Sequence, residues 1–121
     1  MMKKKILFVD DEVDLLKVVS IRLKKTGYEV FEAADGQAAL DLARSQTPDL
    51  IVLDVFLPVM RGDEVATILK KDENLKHIPI ILISADVDTL EGRTLASGAD
   101  GYLAKGFGSG ELIEMVKKKI G

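Results

Sequence analysis

Lys5-Ile6-Leu7-Phe8-Val9-Asp10-Asp11-Glu12 sets an unbroken apolar run directly against three carboxylates. A run this short reads as a strand covered on both faces, the usual lot of a strand inside a parallel sheet. The abrupt change from apolar to acidic marks where the chain leaves the core. The same pattern recurs downstream. Leu50–Asp54 is apolar until Asp54, Pro79–Ser84 ends in Ser84, and Gly101–Ala104 is followed at once by Lys105. Glu29–Ala33, with Glu29 and Glu32 interleaved, reads instead as an exposed edge strand.

Helical patterns fill the gaps. Val13–Lys25 carries Leu16, Val19 and Leu23 at helical spacing and meets a stop at Gly27. Asp35 is placed to cap a helix that runs through Gln46, with Ala39, Leu42 and Ala43 inward. Val65, Ile68 and Leu69 mark a third helix, and Thr89–Ser97 a shorter fourth that ends near Gly98. Ser109 is the expected N-cap of the last, which lines up Leu112, Ile113, Val116 and Ile120 and ends on Lys117–Lys119. Positive charge there suits the negative end of the helix dipole. Five βα units in series imply an α/β fold, a five-stranded parallel sheet with right-handed crossovers and helices on both faces.

The 121 residues suit one domain spanning 1–121, with no linker, repeat or low-complexity tract to divide it. With 47% apolar and 31% charged residues the chain is a globular protein, not a disordered one. No cysteine is present, which excludes disulfides, thiolate metal sites and cysteine nucleophiles. His77 is the only histidine, so multi-histidine metal sites are excluded too. Met1-Met2-Lys3-Lys4-Lys5 begins like an export signal, but the apolar run behind it is far short of the roughly 7–15 residues such a signal needs. A cytoplasmic protein without a membrane segment is expected. The net charge of −3 gives no reason to expect direct nucleic-acid binding by this domain.

Ligands of open parallel sheets bind beyond the carboxyl ends of the strands. Asp10, Asp11, Asp54, Ser84 and Lys105 all stand there. If the first and third strands are neighbours, three aspartates converge, and either one must protonate or a cation must bind. With oxygen ligands alone the natural cation is Mg²⁺. Lys105 and Ser84 would complete a cradle for a tetrahedral anion on or beside a carboxylate. Taken singly, each residue has a plainer role, as a helix cap, a strand end or a solvated lysine. Their common edge makes the case.

These residues, in this order, resemble the receiver domains of two-component response regulators, the CheY-like family. The pieces are Ile6-Leu7-Phe8-Val9-Asp10-Asp11-Glu12, Asp54-Val55-Phe56-Leu57-Pro58-Val59-Met60-Arg61-Gly62, Ile83-Ser84-Ala85 and Gly98-Ala99-Asp100-Gly101-Tyr102-Leu103-Ala104-Lys105. The resemblance spans essentially the whole chain and implies the flavodoxin-like strand order 2-1-3-4-5. It further implies that Asp54 accepts a phosphoryl group from a phosphohistidine on a sensor histidine kinase or histidine phosphotransfer protein. Asp11, Asp54 and the backbone carbonyl of Phe56 would hold Mg²⁺, with Asp10 assisting. Lys105 and Ser84 would contact phosphoryl oxygens, and Tyr102 would rotate into space vacated by Ser84. That makes a switch in a phosphorelay and not a turnover enzyme, with an unknown downstream target or output domain. Phosphorylation-dependent pairing through the fourth helix, fifth strand and fifth helix belongs to the same pattern.

Two positions depart from the family pattern. Gly106 follows Lys105 where a proline in a cis peptide is usual. A cis bond without proline costs about 3 kcal/mol, so a trans Lys105–Gly106 bond is expected, in a loop loosened by Gly106, Gly108 and Gly110. Phe56, two residues past Asp54, is a bulky apolar group at an often polar position. It either hinders the water that would hydrolyse the phosphoryl group or merely covers the loop.

His77 reads as a surface residue, Lys3–Lys5 and Lys117–Lys119 as solvated flanks, and Arg61 and Arg93 carry no signal. A haloacid-dehalogenase-like phosphotransferase would want an aspartate where Glu12 stands and a longer chain. A flavodoxin-like cofactor binder would want a glycine- and hydroxyl-rich loop where Asp10-Asp11-Glu12 would repel a phosphate. A degenerate receiver acting only as a binding module is the third alternative. A complete regulator and a receiver excised from a larger chain both fit the sequence.

Overall fold

The computed structural model describes residues 2–121. Strands and helices alternate as β1 (Lys5–Val9), α1 (Val13–Thr26), β2 (Glu29–Ala33), α2 (Gly36–Gln46), β3 (Leu50–Asp54), α3 (Gly62–Lys71), β4 (Ile80–Ser84), α4 (Val87–Ser97), β5 (Gly101–Ala104) and α5 (Ser109–Ile120). The five strands form one parallel sheet in the order β2-β1-β3-β4-β5. The expected topology is the observed one, and Glu29 and Glu32 lie on an edge strand.

Side-chain alternation along the strands divides the core in two. Leu7, Val9, Ile51 and Leu53 face α2, α3 and α4, while Ile6, Phe8, Leu50 and Val52 face α1 and α5. Every residue of β3 and β4 is buried, which is why both read as nearly continuous apolar runs. Of the expected inward residues, Leu16, Val19 and Leu23 of α1 are buried. In α2, Leu40 is buried with Ala39 and Ala43, and Leu42 only packs at the margin of the core.

α1 runs one residue past expectation, to Thr26, and three other boundaries differ. β4 starts at Ile80, because Pro79 has no N–H to give the sheet, although its carbonyl accepts from the Ile51 amide at 3.0 Å. α4 starts at Val87, one half-turn earlier than Thr89. α5 takes Gly108 as its N-cap, with Ser109 inside the helix, and the Ser109 side chain lies outside the described residues. The Glu111 carboxylate compensates by accepting the Gly108 amide at 3.1 Å, half of a capping box. Asp35 caps α2 as expected, accepting the Ala38 amide at 2.8 Å.

Candidate functional site

β1 and β3 are parallel neighbours with Val9 opposite Leu53, so Asp10 and Asp54 leave the sheet side by side. Asp10 is fully buried, Asp54 nearly so, and Asp11 is exposed. Each of the three offers a carboxylate oxygen, and these oxygens lie within 4.8 Å of one another. Asp10 Oδ1 accepts the Glu12 amide at 2.9 Å. Asp10 Oδ2 is buried with no hydrogen-bond donor, although the Lys105 ammonium stands 3.1 Å away as an ion-pair partner outside hydrogen-bonding angles.

Lys105 bridges the cluster from the other wall. Its Nζ donates to Glu12 Oε1 at 2.7 Å, to Asp54 Oδ2 at 3.1 Å and to Asp10 Oδ1 at 3.3 Å. The Lys105–Gly106 peptide is trans, and Gly106 takes φ +98°, a left-handed conformation that glycine adopts freely. Glycine in place of proline therefore does not stop Lys105 from reaching Asp54. The Lys105 backbone amide donates a hydrogen bond to the Ser84 carbonyl at 2.8 Å, which fixes where the long side chain starts.

Burial and the opposed charges set the protonation of the pair. Burial raises the Asp54 carboxyl, the Asp10 charge adds to the rise, and the hydrogen bond and charge of Lys105 work against it, leaving Asp54 at about 6. For Lys105, burial disfavours the charge. Hydrogen bonds to Glu12, Asp54 and Asp10 outweigh that cost and hold the ammonium above the usual lysine range.

Three further residues of interest come from β4, β5 and the loop after β3. Ser84 is buried, and its Oγ accepts the Asp86 amide at 3.0 Å, at the entry to α4. Tyr102, on β5, is 43% exposed, so its ring lies at the surface. Phe56, in the loop after β3, is half exposed with the Arg93 guanidinium 4.9 Å from its ring centroid. Two of these partners escape sequence reading. Glu12 is seen only as part of an acidic run, and Arg93 is brought to Phe56 only by the packing of α4 beside α3.

Residues 6–117 match the response regulator receiver domain family. The chain belongs to that family. The receiver is 43% identical over 119 residues to a probable transcriptional regulator, ycf27, of Cyanophora paradoxa, covering 98% of this chain and 48% of that protein. It spans about half the length of the curated relatives it matches. Among solved structures, the chemotaxis protein CheY4 of Vibrio cholerae superposes with a TM-score of 0.91 at 32% identity, covering 98% of this chain and 100% of that one. The response regulator TrrA of Thermotoga maritima, solved in complex with Mg²⁺-BeF, superposes with a TM-score of 0.87 at 36% identity, covering 97% and 99%. Family membership sets aside the haloacid-dehalogenase and flavodoxin alternatives.

The receiver's own residues suit a divalent cation. The donors are all oxygen, which selects Mg²⁺ or its hard relatives. Asp10 Oδ2, buried and without a hydrogen-bond donor, has lone pairs left for a metal beside the Lys105 ammonium. No helix among the described residues is long and apolar enough to cross a membrane.

Proposed function

We propose that this receiver takes a phosphoryl group onto Asp54 from a phosphohistidine on a sensor histidine kinase or histidine phosphotransfer protein. The observation that carries the proposal is Lys105 Nζ, 3.1 Å from Asp54 Oδ2, within an acidic cluster in which Asp10 and Asp54 are buried. It supplies a nucleophilic carboxylate and a fixed cation at one point.

With a pKa of about 6, Asp54 is mostly ionised at neutral pH and available as nucleophile. A carboxylate oxygen attacks phosphorus, the N–P bond breaks, and its electron pair stays on the imidazole nitrogen, which takes up a proton. Asp10, Asp11, Asp54 and the Phe56 backbone carbonyl would hold Mg²⁺, which would supply charge neutralisation for the acceptor and the phosphoryl oxygens. Lys105 transfers its contacts from the carboxylates to a phosphoryl oxygen. Ser84 gives up the Asp86 amide to hydrogen-bond another, and Tyr102 turns inward from its exposed position. The surface of α4, β5 and α5 then changes shape. In this reading the domain is a switch and not a turnover enzyme.

The relation to a transcriptional regulator about twice as long supports control of transcription as the output. The test is incubation with Mg²⁺ and acetyl phosphate followed by intact mass measurement. One added phosphoryl group on the wild type, absent from Asp54→Asn, is expected. No adduct would leave a receiver that acts through binding alone.

A further inference from the structure

Phe56 follows Asp54 by two residues, yet its ring belongs to neither core cluster. An exposed aromatic on a loop samples several rotamers unless something holds it. Here the holder is Arg93 of α4, whose guanidinium carbon stands 4.9 Å from the ring centroid. That guanidinium is itself fixed from two sides. Nη1 donates to Asp63 Oδ2 of α3 at 3.0 Å, and Nε donates to Thr89 Oγ1, one turn earlier on α4, at 3.1 Å. Asp63 is mostly buried, so the ion pair is shielded from bulk water. A flat cation with its edges bonded in this way has its face left for the ring.

The same network reaches Ser84 at the end of β4. Thr89 Oγ1 donates to Asp86 Oδ2 at 3.0 Å, and the Asp86 amide donates to Ser84 Oγ at 3.0 Å. Ser84 and Phe56 are thus the two ends of one chain of contacts running through the first two turns of α4. An arginine that only tied α4 to α3 would need Asp63 alone.

The geometry points to Arg93 as a positioning residue of the phosphoacceptor site: it pins the Phe56 ring at the rim, shields the phosphoryl group on Asp54 from water and so lengthens its lifetime. This deepens the reading of Asp54 as phosphoacceptor and rests on it. Hydrolysis needs a water in line with the scissile bond, and a ring held in place excludes water more completely than one that rotates away.

The test loads the wild type, Arg93→Ala, Arg93→Lys, Phe56→Ala and the Phe56→Ala/Arg93→Ala double variant with acetyl phosphate and Mg²⁺. Excess donor is removed and the adduct is followed by intact mass. Arg93→Ala should lose the phosphoryl group about threefold faster or more, a change within reach of one cation–π contact. Arg93→Lys, which keeps the charge facing Asp63 but not the flat face, should fall between. In the Phe56→Ala background, Arg93→Ala should add nothing. An unchanged decay in Arg93→Ala overturns the inference alone. So does an Arg93→Ala effect that persists without the Phe56 ring, since the arginine would then act by another route. No adduct on the wild type overturns the Asp54 reading and this inference with it. Should Arg93→Ala fail to fold, Arg93→Lys decides by the same comparisons.

Discussion

Lys105 Nζ stands 3.1 Å from Asp54 Oδ2, and the same nitrogen is 3.1 Å from Asp10 Oδ2. One ammonium thus balances two buried carboxylates from adjacent strands and reaches Glu12 as well. It does electrostatically what a bound cation would do, so in the proposed mechanism lysine and Mg²⁺ would compete for the same negative charge. Phosphorylation of Asp54, as proposed, would resolve that competition, because the phosphoryl group would bring new oxygens for both.

From this competition it follows that Lys105→Met should bind Mg²⁺ more tightly than the wild type while being less stable without it. Removing the ammonium leaves the buried carboxylates unbalanced, and Asp54 can relieve part of the cost by protonating. A loss of about 1–2 kcal/mol in EDTA is expected, recovered largely at saturating Mg²⁺. Urea unfolding with and without the metal measures both. Equal stabilisation of the two proteins by Mg²⁺ would show that Lys105 and the cation do not compete.

The convergence behind this prediction was legible because apolar runs announce their own ends. Asp10, Asp54, Ser84 and Lys105 each sit at or just past a strand terminus, and a parallel sheet places all such termini on one edge. The partners of these groups were not legible in the same way. Glu12 meets Lys105 across 93 residues, and Arg93 meets Asp63 across 30, through side-chain reach that no periodicity encodes. The Ser109 expectation failed for a local reason: the Glu111 side chain, reaching back from the first turn of α5, accepts the Gly108 amide and holds glycine at the N-cap.

Asp54 carries a pH signature of its own. Its pKa rises from 3.8 to about 6 on folding, so the folded state binds the proton more tightly than the unfolded chain. Stability linked to this group is fully present below pH 3.8 and is lost as pH rises through about 6. In EDTA, Asp54→Asn should therefore exceed the wild type in stability at pH 7.5 by about 1–2 kcal/mol, a figure reduced for the solvent that reaches the pocket. The gap should close towards pH 4. Urea unfolding across that range checks it, and a gap independent of pH would remove titration of Asp54 as the cause.

Val59 holds φ +72° while 79% exposed, in the loop between β3 and α3. A β-branched residue pays about 1–2 kcal/mol for the left-handed region and here recovers little by packing. Val59→Asn should raise stability by about 0.5–1 kcal/mol, since asparagine tolerates that conformation. Val59→Gly should gain less, because glycine also adds freedom to the unfolded chain. Thermal unfolding of the three proteins decides it. A lower melting temperature for Val59→Asn would mean that the valine side chain makes a contact worth more than its strain.

Gly62 joins the loop to α3 where the helix backbone passes directly over the end of β3. Its amide donates to the Val55 carbonyl at 2.7 Å, and a Cβ built on Gly62 would collide with the Asp54 carbonyl oxygen. Backbone cannot swing aside as a flexible side chain can, so Gly62→Ala must shift either α3 or the end of β3. Both movements displace Asp54 relative to Asp10 and Lys105, whose contacts tolerate only a few tenths of an ångström. The variant should lose about 2–3 kcal/mol of stability. In the fraction that remains folded, phosphorylation by acetyl phosphate should slow by about tenfold or more. The paired measurement separates two effects that a folding defect alone would merge: stability from urea unfolding, and phosphorylation rate from intact mass under conditions where the variant is native. A folded Gly62→Ala protein with the wild-type rate would show that the close approach serves packing only and that Asp54 is placed by the sheet without help from α3.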